Sequence, residues 1–187
     1  MYDPERHRRR SVRLGDVRYT EPGVYFITVC TYERACLFGE VVEGGVRLHA
    51  FGEIVREEWE RTGVVRPYVA LDAFVVMPNH VHGIIGIVGD GMGPVQIAKS
   101  GGCRGAARCA PTMVRTNVEA GSLGAIVRSF KSAVTKRINE VRGTPGAAVW
   151  QRNYWEHIVR NGRDLERIRR YIAENPGRWG EDRYYEG

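Results

Sequence analysis

The chain lacks a run of apolar residues long enough to cross a lipid bilayer, which takes about 20 of them in a helix. Its first segment, MYDPERHRRRSVRLG, also lacks the apolar stretch of a secretory signal. These absences argue against a helical membrane protein and against an exported one. We therefore expect a cytoplasmic protein with no membrane partner.

Cysteine is scarce, and its spacing does not suit a zinc site. The 187 residues include four cysteines, which are Cys30, Cys36, Cys103 and Cys109. None of them forms a CxxC pair, whereas structural zinc sites usually combine two such pairs. In a reducing compartment they are most simply free thiols. The pattern predicts neither a disulfide framework nor a zinc centre.

Acidic residues are outnumbered, 22 against 28 lysines and arginines, which gives a formal charge of +6. This excess favours a polyanionic partner, with nucleic acid first among the candidates. We expect residues 1–18 to form a basic arm that follows a phosphate backbone. The arginines assigned to DNA binding there are Arg6, Arg8, Arg9, Arg10 and Arg13.

The hydrophobic pattern predicts a single domain over residues 19–187, with the element order of a ferredoxin-like fold. Strands are expected at 24–32, 68–77, 80–88 and within 150–160, with short hairpin arms at 36–42 and 46–49. Helices are expected at 51–62, from 122 onward and at 165–174. Gly63 is expected to end the first helix, and Asp164 to cap the last. The fold class is thus α+β: a β-α-β-β-α-β antiparallel sheet, helices on one face, and a C-terminal helix.

Residues 89–121 interrupt this order with many glycines and no sustained period. A structureless stretch of this length inside a compact domain is unusual and is either functional or disordered. We expect a mobile insertion here.

The helix that follows Ser122 is amphipathic. An apolar stripe runs along it, while its polar side carries Arg128, Lys131, Lys136 and Arg137. Such a face is usually just solvated. As a DNA-binding surface, with Arg128 and Lys131 as contacts, it is a hypothesis.

The pair His80 and His82 lies in the apolar segment AFVVMPNHVHGIIGIV. Side chains alternate faces along a strand, so both imidazoles share one face and Val81 occupies the other. Two polar rings in such a segment need a metal, hydrogen bonds or solvent. The spacing therefore indicates half of a metal site, against the alternative of two hydrogen-bonded histidines.

Aromatic residues accompany this pair later in the chain. Trp150, Tyr154 and Trp155 are candidates either for stacking on unpaired bases or for the core, and we expect at least one to be core. In the last helix Tyr171 and Asn175 are four residues apart and share a face. From the residues alone, Tyr171 is a boundary residue with its hydroxyl in water.

Three segments, MPNHVHGII, WQRNYWEHIVRN and RYIAENP, occur here in the order found in one family. They resemble the single-tyrosine transposases of the HUH superfamily, most of all the REP-associated tyrosine transposases. This resemblance covers residues 24–179. It implies that Tyr171 is the nucleophile and that His80 and His82 bind a divalent metal, with Asn175 as third ligand.

The resemblance also implies an activity and its partners. The expected enzyme is a DNA transposase that nicks and rejoins single-stranded or hairpin DNA through a 5′-phosphotyrosine link, using Mg²⁺ or Mn²⁺. Two alternatives stay open: a non-catalytic nucleic-acid-binding module and a hydrolytic metallonuclease. Both a monomer and a homodimer are compatible with the sequence.

Overall fold

A computed structural model gives the structure of the chain and describes residues 22–88 and 121–185. The strands are β1 (Gly23–Cys30), β2 (Gly39–Val42), β3 (Gly45–Leu48), β4 (Val69–Met77), β5 (His80–Ile87) and β6 (Trp155–Val159). The helices are α1 (Ala50–Val64), α2 (Leu123–Arg142) and α3 (Gly162–Glu174). Two 3-10 segments cover Tyr32–Arg34 and Pro176–Glu181.

Four strands form the main sheet in the order β4-β5-β1-β6, and every neighbouring pair is antiparallel. The strands β2 and β3 form a separate two-stranded hairpin. The predicted α+β fold with its ferredoxin-like order is therefore confirmed. Its two central strands, β5 and β1, are also those with the most buried residues.

One face of the main sheet carries the larger core, against α1 and α2. Side chains at alternate positions of β1 and β5 point into it, namely Tyr25, Ile27, Val29, Val81 and Ile85. Trp59 of α1 and Phe130 of α2 meet there with their rings 5.7 Å apart at an angle of 84°. Burial of these aliphatic and aromatic groups supplies most of the drive for folding.

The opposite face of the sheet is covered by α3. A smaller core forms where Phe26 and Ile84 of the sheet meet Ile168 and Ile172 of the helix. Because the two faces alternate along β5, His80 and His82 lie on this α3 side. The topology therefore places the last helix directly over the histidine pair.

Helix α3 begins earlier than the sequence predicts. The expectation that Asp164 caps it is wrong, because the Asn161 side chain accepts a 2.9 Å hydrogen bond from the Asp164 amide. The Asp164 carboxylate instead lies 2.8 Å from His157 Nε2 and 2.6 Å from Arg167. Because Asn161 caps the helix, the Asp164 carboxylate can connect His157 of strand β6 with helix α3.

The two other helix ends can also be compared with the sequence. Gly63 does not end α1, which continues to Val64. The predicted start of α2 is confirmed, since the Ser122 hydroxyl accepts from the Ala125 amide. No helix within residues 22–88 and 121–185 is long and apolar enough to cross a membrane.

The three aromatic residues before and within β6 have different environments. Trp150 is core, 7% exposed, and its ring centroid lies 5.0 Å from that of Phe38. Tyr154 is half-buried against the same core. Trp155, by contrast, is 40% exposed on the α3 face. The expectation that at least one of the three is core is confirmed.

Candidate active site

The site lies at the beginning of strand β5, where both histidine side chains are buried. His80 is 0% and His82 1% exposed. Their Nε2 atoms lie 3.0 Å apart, so the two rings converge on one point. The tight link Pro78-Asn79 between β4 and β5 places His80 at the very start of its strand.

The hydrogen bonds of Asn79 fix the protonation pattern of His80. Asn79 donates from Nδ2 to the Tyr184 carbonyl over 2.7 Å, which leaves Oδ1 as its acceptor. His80 Nδ1 lies 2.9 Å from that Oδ1 and must therefore donate to it. In a neutral imidazole the other nitrogen, Nε2, then carries a lone pair. On β1, Thr28 Oγ1 holds the His82 ring through its Nδ1, at 2.8 Å, and a hydroxyl can serve there as donor or acceptor.

Burial keeps both imidazoles neutral. It lowers the pKa of His80 to about 4, although the nearby Asp182 carboxylate acts in the opposite direction. Burial, followed by repulsion from His80, holds the pKa of His82 well below its usual value. Neutral imidazole is the form that binds metal ions.

Tyr171 on α3 brings a phenol to the same point. Its oxygen lies 3.2 Å from His82 Nε2, and the side chain is 41% exposed. Burial of the hydroxyl end, with Asp182 and Tyr184 nearby, raises the pKa of Tyr171 to about 12. The phenol is therefore protonated at neutral pH and is accessible to a large substrate.

Asn175 ends α3 one turn after Tyr171, and its side chain is buried. Its Nδ2 donates to Asp182 Oδ2 over 2.7 Å. Its Oδ1, in contrast, is buried with no hydrogen-bond partner among the described residues. A buried carbonyl oxygen without a partner is costly unless a cation or a donor binds it.

Asp182 is the candidate site residue that the sequence pattern does not reveal. The 3-10 segment Pro176–Glu181 turns the chain back, so that Asp182 Oδ2 lies 4.0 Å from His80 Nε2. Its other oxygen, Oδ1, accepts from the Tyr184 amide over 2.7 Å. Asp182 follows Asn175 by seven residues, but the kinked 3-10 segment between them means that helical spacing does not place it. The only sequence signal is its residue type.

These donors fit a divalent cation. The ligand atoms of His80, His82 and Asp182 all lie within 4.8 Å of one another. Each of these three side chains can offer a lone pair to a cation, and the buried Asn175 Oδ1 has no hydrogen-bond partner among the described residues. Two imidazole nitrogens with carboxylate and amide oxygens form a mixed donor set that suits Mn²⁺, and the oxygens also suit Mg²⁺. The arrangement can therefore hold a metal beside a tyrosine hydroxyl.

The other residues predicted to bind DNA lie away from this cluster or outside the described residues. Arg128 is exposed on α2. The Lys131 ammonium donates to the carbonyl oxygens of Gln151 and Arg152, at 2.6 and 3.1 Å. The arginines of the N-terminal arm and the glycine-rich segment 89–120 lie outside the described residues. The DNA-binding roles of all these residues stay predictions.

Comparison with known proteins gives one relative in sequence and likenesses in fold. No protein-family model matches the chain. An uncharacterised protein from Haemophilus influenzae (strain Rd) is 36% identical over 184 residues, which are 98% of this chain and 97% of that protein. A solved structure of a REP-associated tyrosine transposase bound to a REP hairpin has a TM-score of 0.53 at 22% identity, covering 88% of this chain and 73% of its own.

A second solved structure, that of a candidate transposase from Deinococcus radiodurans R1, is 18% identical with a TM-score of 0.40 and covers 87% of this chain and 95% of its own. At the level of the fold, the likeness to the REP-associated transposase confirms the resemblance first indicated by the sequence motifs.

Proposed function

We propose that this chain, which belongs to one family with the Haemophilus influenzae protein and has the fold of a REP-associated tyrosine transposase, cuts and rejoins single-stranded DNA. One observation carries the proposal. The Tyr171 hydroxyl lies 3.2 Å from His82 Nε2, at the edge of a buried cluster of metal-ligand atoms. A nucleophile beside such a cluster suits phosphoryl transfer.

In the proposed reaction Tyr171 is the nucleophile. Its oxygen forms a bond to the scissile phosphorus while the bond from phosphorus to the 3′-oxygen breaks. The phenol loses one proton and the departing 3′-oxygen takes one up, so the step is balanced. The product is a 5′-phosphotyrosine link with a free 3′-hydroxyl. Attack by a 3′-hydroxyl from another strand reverses the step and joins DNA without ATP.

Four residues would hold the metal in this proposal: His80, His82 and Asn175, together with Asp182. A bound Mg²⁺ or Mn²⁺ supplies Lewis-acid polarisation of a phosphate oxygen and stabilises the charge of the transition state. Asn79 and Thr28 orient the two imidazoles through their Nδ1 atoms. These two residues therefore act through the histidines as positioning residues.

The proposed partner is single-stranded or hairpin DNA. The REP-associated transposase of similar fold is bound to a REP hairpin. The formal charge of +6 supports a polyanionic partner for this chain as well. We assign the positioning of that DNA to the predicted arginine arm and to Arg128 and Lys131.

A covalent-capture assay tests the proposal. Labelled hairpin oligonucleotides with varied single-stranded flanks are incubated with the full chain and Mn²⁺ or Mg²⁺, and separated on a denaturing gel. We expect a metal-dependent shifted band that Tyr171→Phe abolishes while DNA binding persists. Tyr185→Phe, which changes another exposed tyrosine near the C-terminal end of the described chain, is the matched control and should retain the band.

The other outcomes identify the alternatives. Metal-dependent cleavage that leaves a free 5′-phosphate and no protein-linked DNA would establish the hydrolytic metallonuclease. Salt-sensitive binding with neither cleavage nor adduct would establish the non-catalytic module. A shifted band that survives Tyr171→Phe would refute the assignment of the nucleophile.

A further inference from the structure

Strand register brings one exposed tryptophan into line with the histidine site. Thr28 of β1 is paired with His82 on one side and with Trp155 on the other. Directly paired residues point to the same face of a sheet, so all three side chains lie on the α3 side. Trp155 is therefore two strand spacings, about 10 Å, from His82. It belongs to the edge strand β6, whose outer side has no neighbouring strand among the described residues.

A buried phenylalanine connects this tryptophan with the nucleophile. Phe26 makes edge contacts with both aromatic rings, with centroids 5.6 Å from Trp155 and 6.0 Å from Tyr171. Phe26 is itself only 6% exposed, whereas the two rings it supports are 40% and 41% exposed. Both rings therefore have surface that a ligand can reach.

A cation lies close to the Trp155 ring. The Arg183 guanidinium carbon is 5.8 Å from the centre of the Trp155 ring and 4.6 Å from that of Tyr184. Arg183 also donates to the Tyr184 hydroxyl. Within residues 22–88 and 121–185 no carboxylate forms an ion pair with Arg183, whereas Arg178 in the same cleft pairs with Glu174 at 3.0 Å.

Arg183 lines the same cleft as Tyr171. A guanidinium there can bind a phosphate through charge-assisted hydrogen bonds, because a phosphate carries negative charge. The cleft lined by Tyr171, Asp182 and Arg183 has a volume of about 300 Å³, which leaves room for such a group.

We propose that Arg183 and Trp155 form the subsite that positions the DNA strand for cleavage. Arg183 binds the phosphate attacked by Tyr171, and the Trp155 ring stacks on an unpaired base within two nucleotides of that phosphate. This inference rests on the proposed function and adds to it two residues outside the metal cluster. Stacking is tolerant of base identity, so the subsite positions the strand and does not select its sequence.

The stacking part is tested without chemistry, in the Tyr171→Phe protein. Hairpin oligonucleotides carry the fluorescent base 2-aminopurine at one unpaired flank position at a time. We expect strong quenching at one position, lost on Trp155→Ala and retained on Tyr185→Ala. Removal of that base, leaving an abasic site, should weaken binding about tenfold. On DNA with this abasic site, Trp155→Ala should weaken binding very little further, because the two changes remove the same contact.

The phosphate part is tested by the rate of adduct formation at saturating DNA. Arg183→Gln should lower that rate about 100-fold, as loss of one charged donor to a transition state does. Arg183→Lys should recover part of the rate, and Arg178→Gln is the matched control that should retain it. An Arg183→Gln protein with an unchanged rate would overturn this assignment.

The outcomes separate the subsite from the proposed function. DNA binding by Tyr171→Phe with no position-specific, Trp155-dependent quenching would overturn the subsite alone. Additive losses from the abasic site and Trp155→Ala would do the same. Failure of the wild-type protein to form any adduct would refute the proposed function, while the quenching measurement would still decide whether Trp155 stacks on DNA.

Discussion

Asn175 donates a 2.7 Å hydrogen bond to Asp182, and this contact joins the helix of Tyr171 to the segment that follows it. The bond turns Asn175 Nδ2 toward the carboxylate and leaves Oδ1 buried without a partner among the described residues. It also holds Asp182 Oδ2 at 4.0 Å from His80 Nε2. One carboxylate thus orients the Asn175 amide and lies close enough to His80 to share a proposed cation with it.

Asp182→Asn should weaken Mn²⁺ binding by roughly 10- to 100-fold, since ligand-orienting groups and ligands of metal sites have effects of this size. The change preserves the shape of the side chain but removes its charge. Isothermal titration calorimetry with Mn²⁺ measures the affinity directly. Glu181→Gln, which changes the exposed neighbour, is the control and should bind as the wild type does. Equal affinities for Asp182→Asn and Glu181→Gln would show that Asp182 takes no part in the site.

The metal-free protein should lose stability as the pH falls from about 6.5 to about 4. The pKa of His80 is about 4 in the folded chain, against an ordinary value of 6.5. Between these values the unfolded state binds more protons, so its free energy falls relative to the folded state. The stabilisation is complete above the unfolded pKa, and its loss amounts to about 3 kcal/mol for this group. His82, whose pKa is also lowered, acts in the same direction.

Urea unfolding in the presence of a chelator, at pH steps from 7 to 4.5, measures this loss. His80→Gln should have a flatter dependence on pH. His49→Gln, at a histidine whose side chain is 52% exposed, should keep the wild-type dependence. A free energy of unfolding that is constant across this range would contradict the neutral, buried state of the pair.

The fold was predictable from the sequence because its signals are local. Apolar runs rich in β-branched and aromatic residues mark β1 and β5, a helical stripe marks α2, and together they specify a ferredoxin-like order. The shared face of His80 and His82 follows from the alternation of side chains along a strand. Asp182 could not be found in this way, because the turn that returns it to His80 depends on tertiary contacts of Asn79 and Asn175. The sequence did not distinguish Asn161 from Asp164 as the N-cap of α3, because asparagine and aspartate are equally favourable at that position.

Asp72→Ala should lower the free energy of unfolding by about 2 kcal/mol and slow adduct formation. The Asp72 carboxylate of β4 receives hydrogen bonds from Arg169 of α3, at 3.1 and 3.2 Å from Nε, and its side chain is only 10% exposed. The pair anchors the helix that carries Tyr171. Glu166→Ala removes the exposed partner of the same arginine, with a side chain 65% exposed, and should cost less than about 0.5 kcal/mol. Similar losses for the two variants in urea unfolding would refute this difference.

Gly83→Ala should destabilise the protein by about 1–3 kcal/mol, because the added methyl overlaps a core ring. Gly83 lies next to His82 on β5, and a Cβ there would come within 2.5 Å of Trp59 Cζ2. Gly86→Ala is the matched change on the same strand, where the nearest atom would be Ala70 Cβ at 3.4 Å. Thermal unfolding of the two variants should separate them clearly. A tolerated Gly83→Ala would mean that Trp59 can move without disturbing the strand of the histidines.

Tyr171 and Asn175 lie one turn apart on α3, which packs on the sheet mainly through Ile168 and Ile172. A rigid helix cannot shift one of these side chains without the other. Any displacement of α3 would therefore move the proposed nucleophile and a proposed metal ligand at the same time. Under the proposed function this coupling links two requirements, because a helix that is not fully docked on the sheet places neither the Tyr171 phenol nor the Asn175 oxygen at the histidine pair.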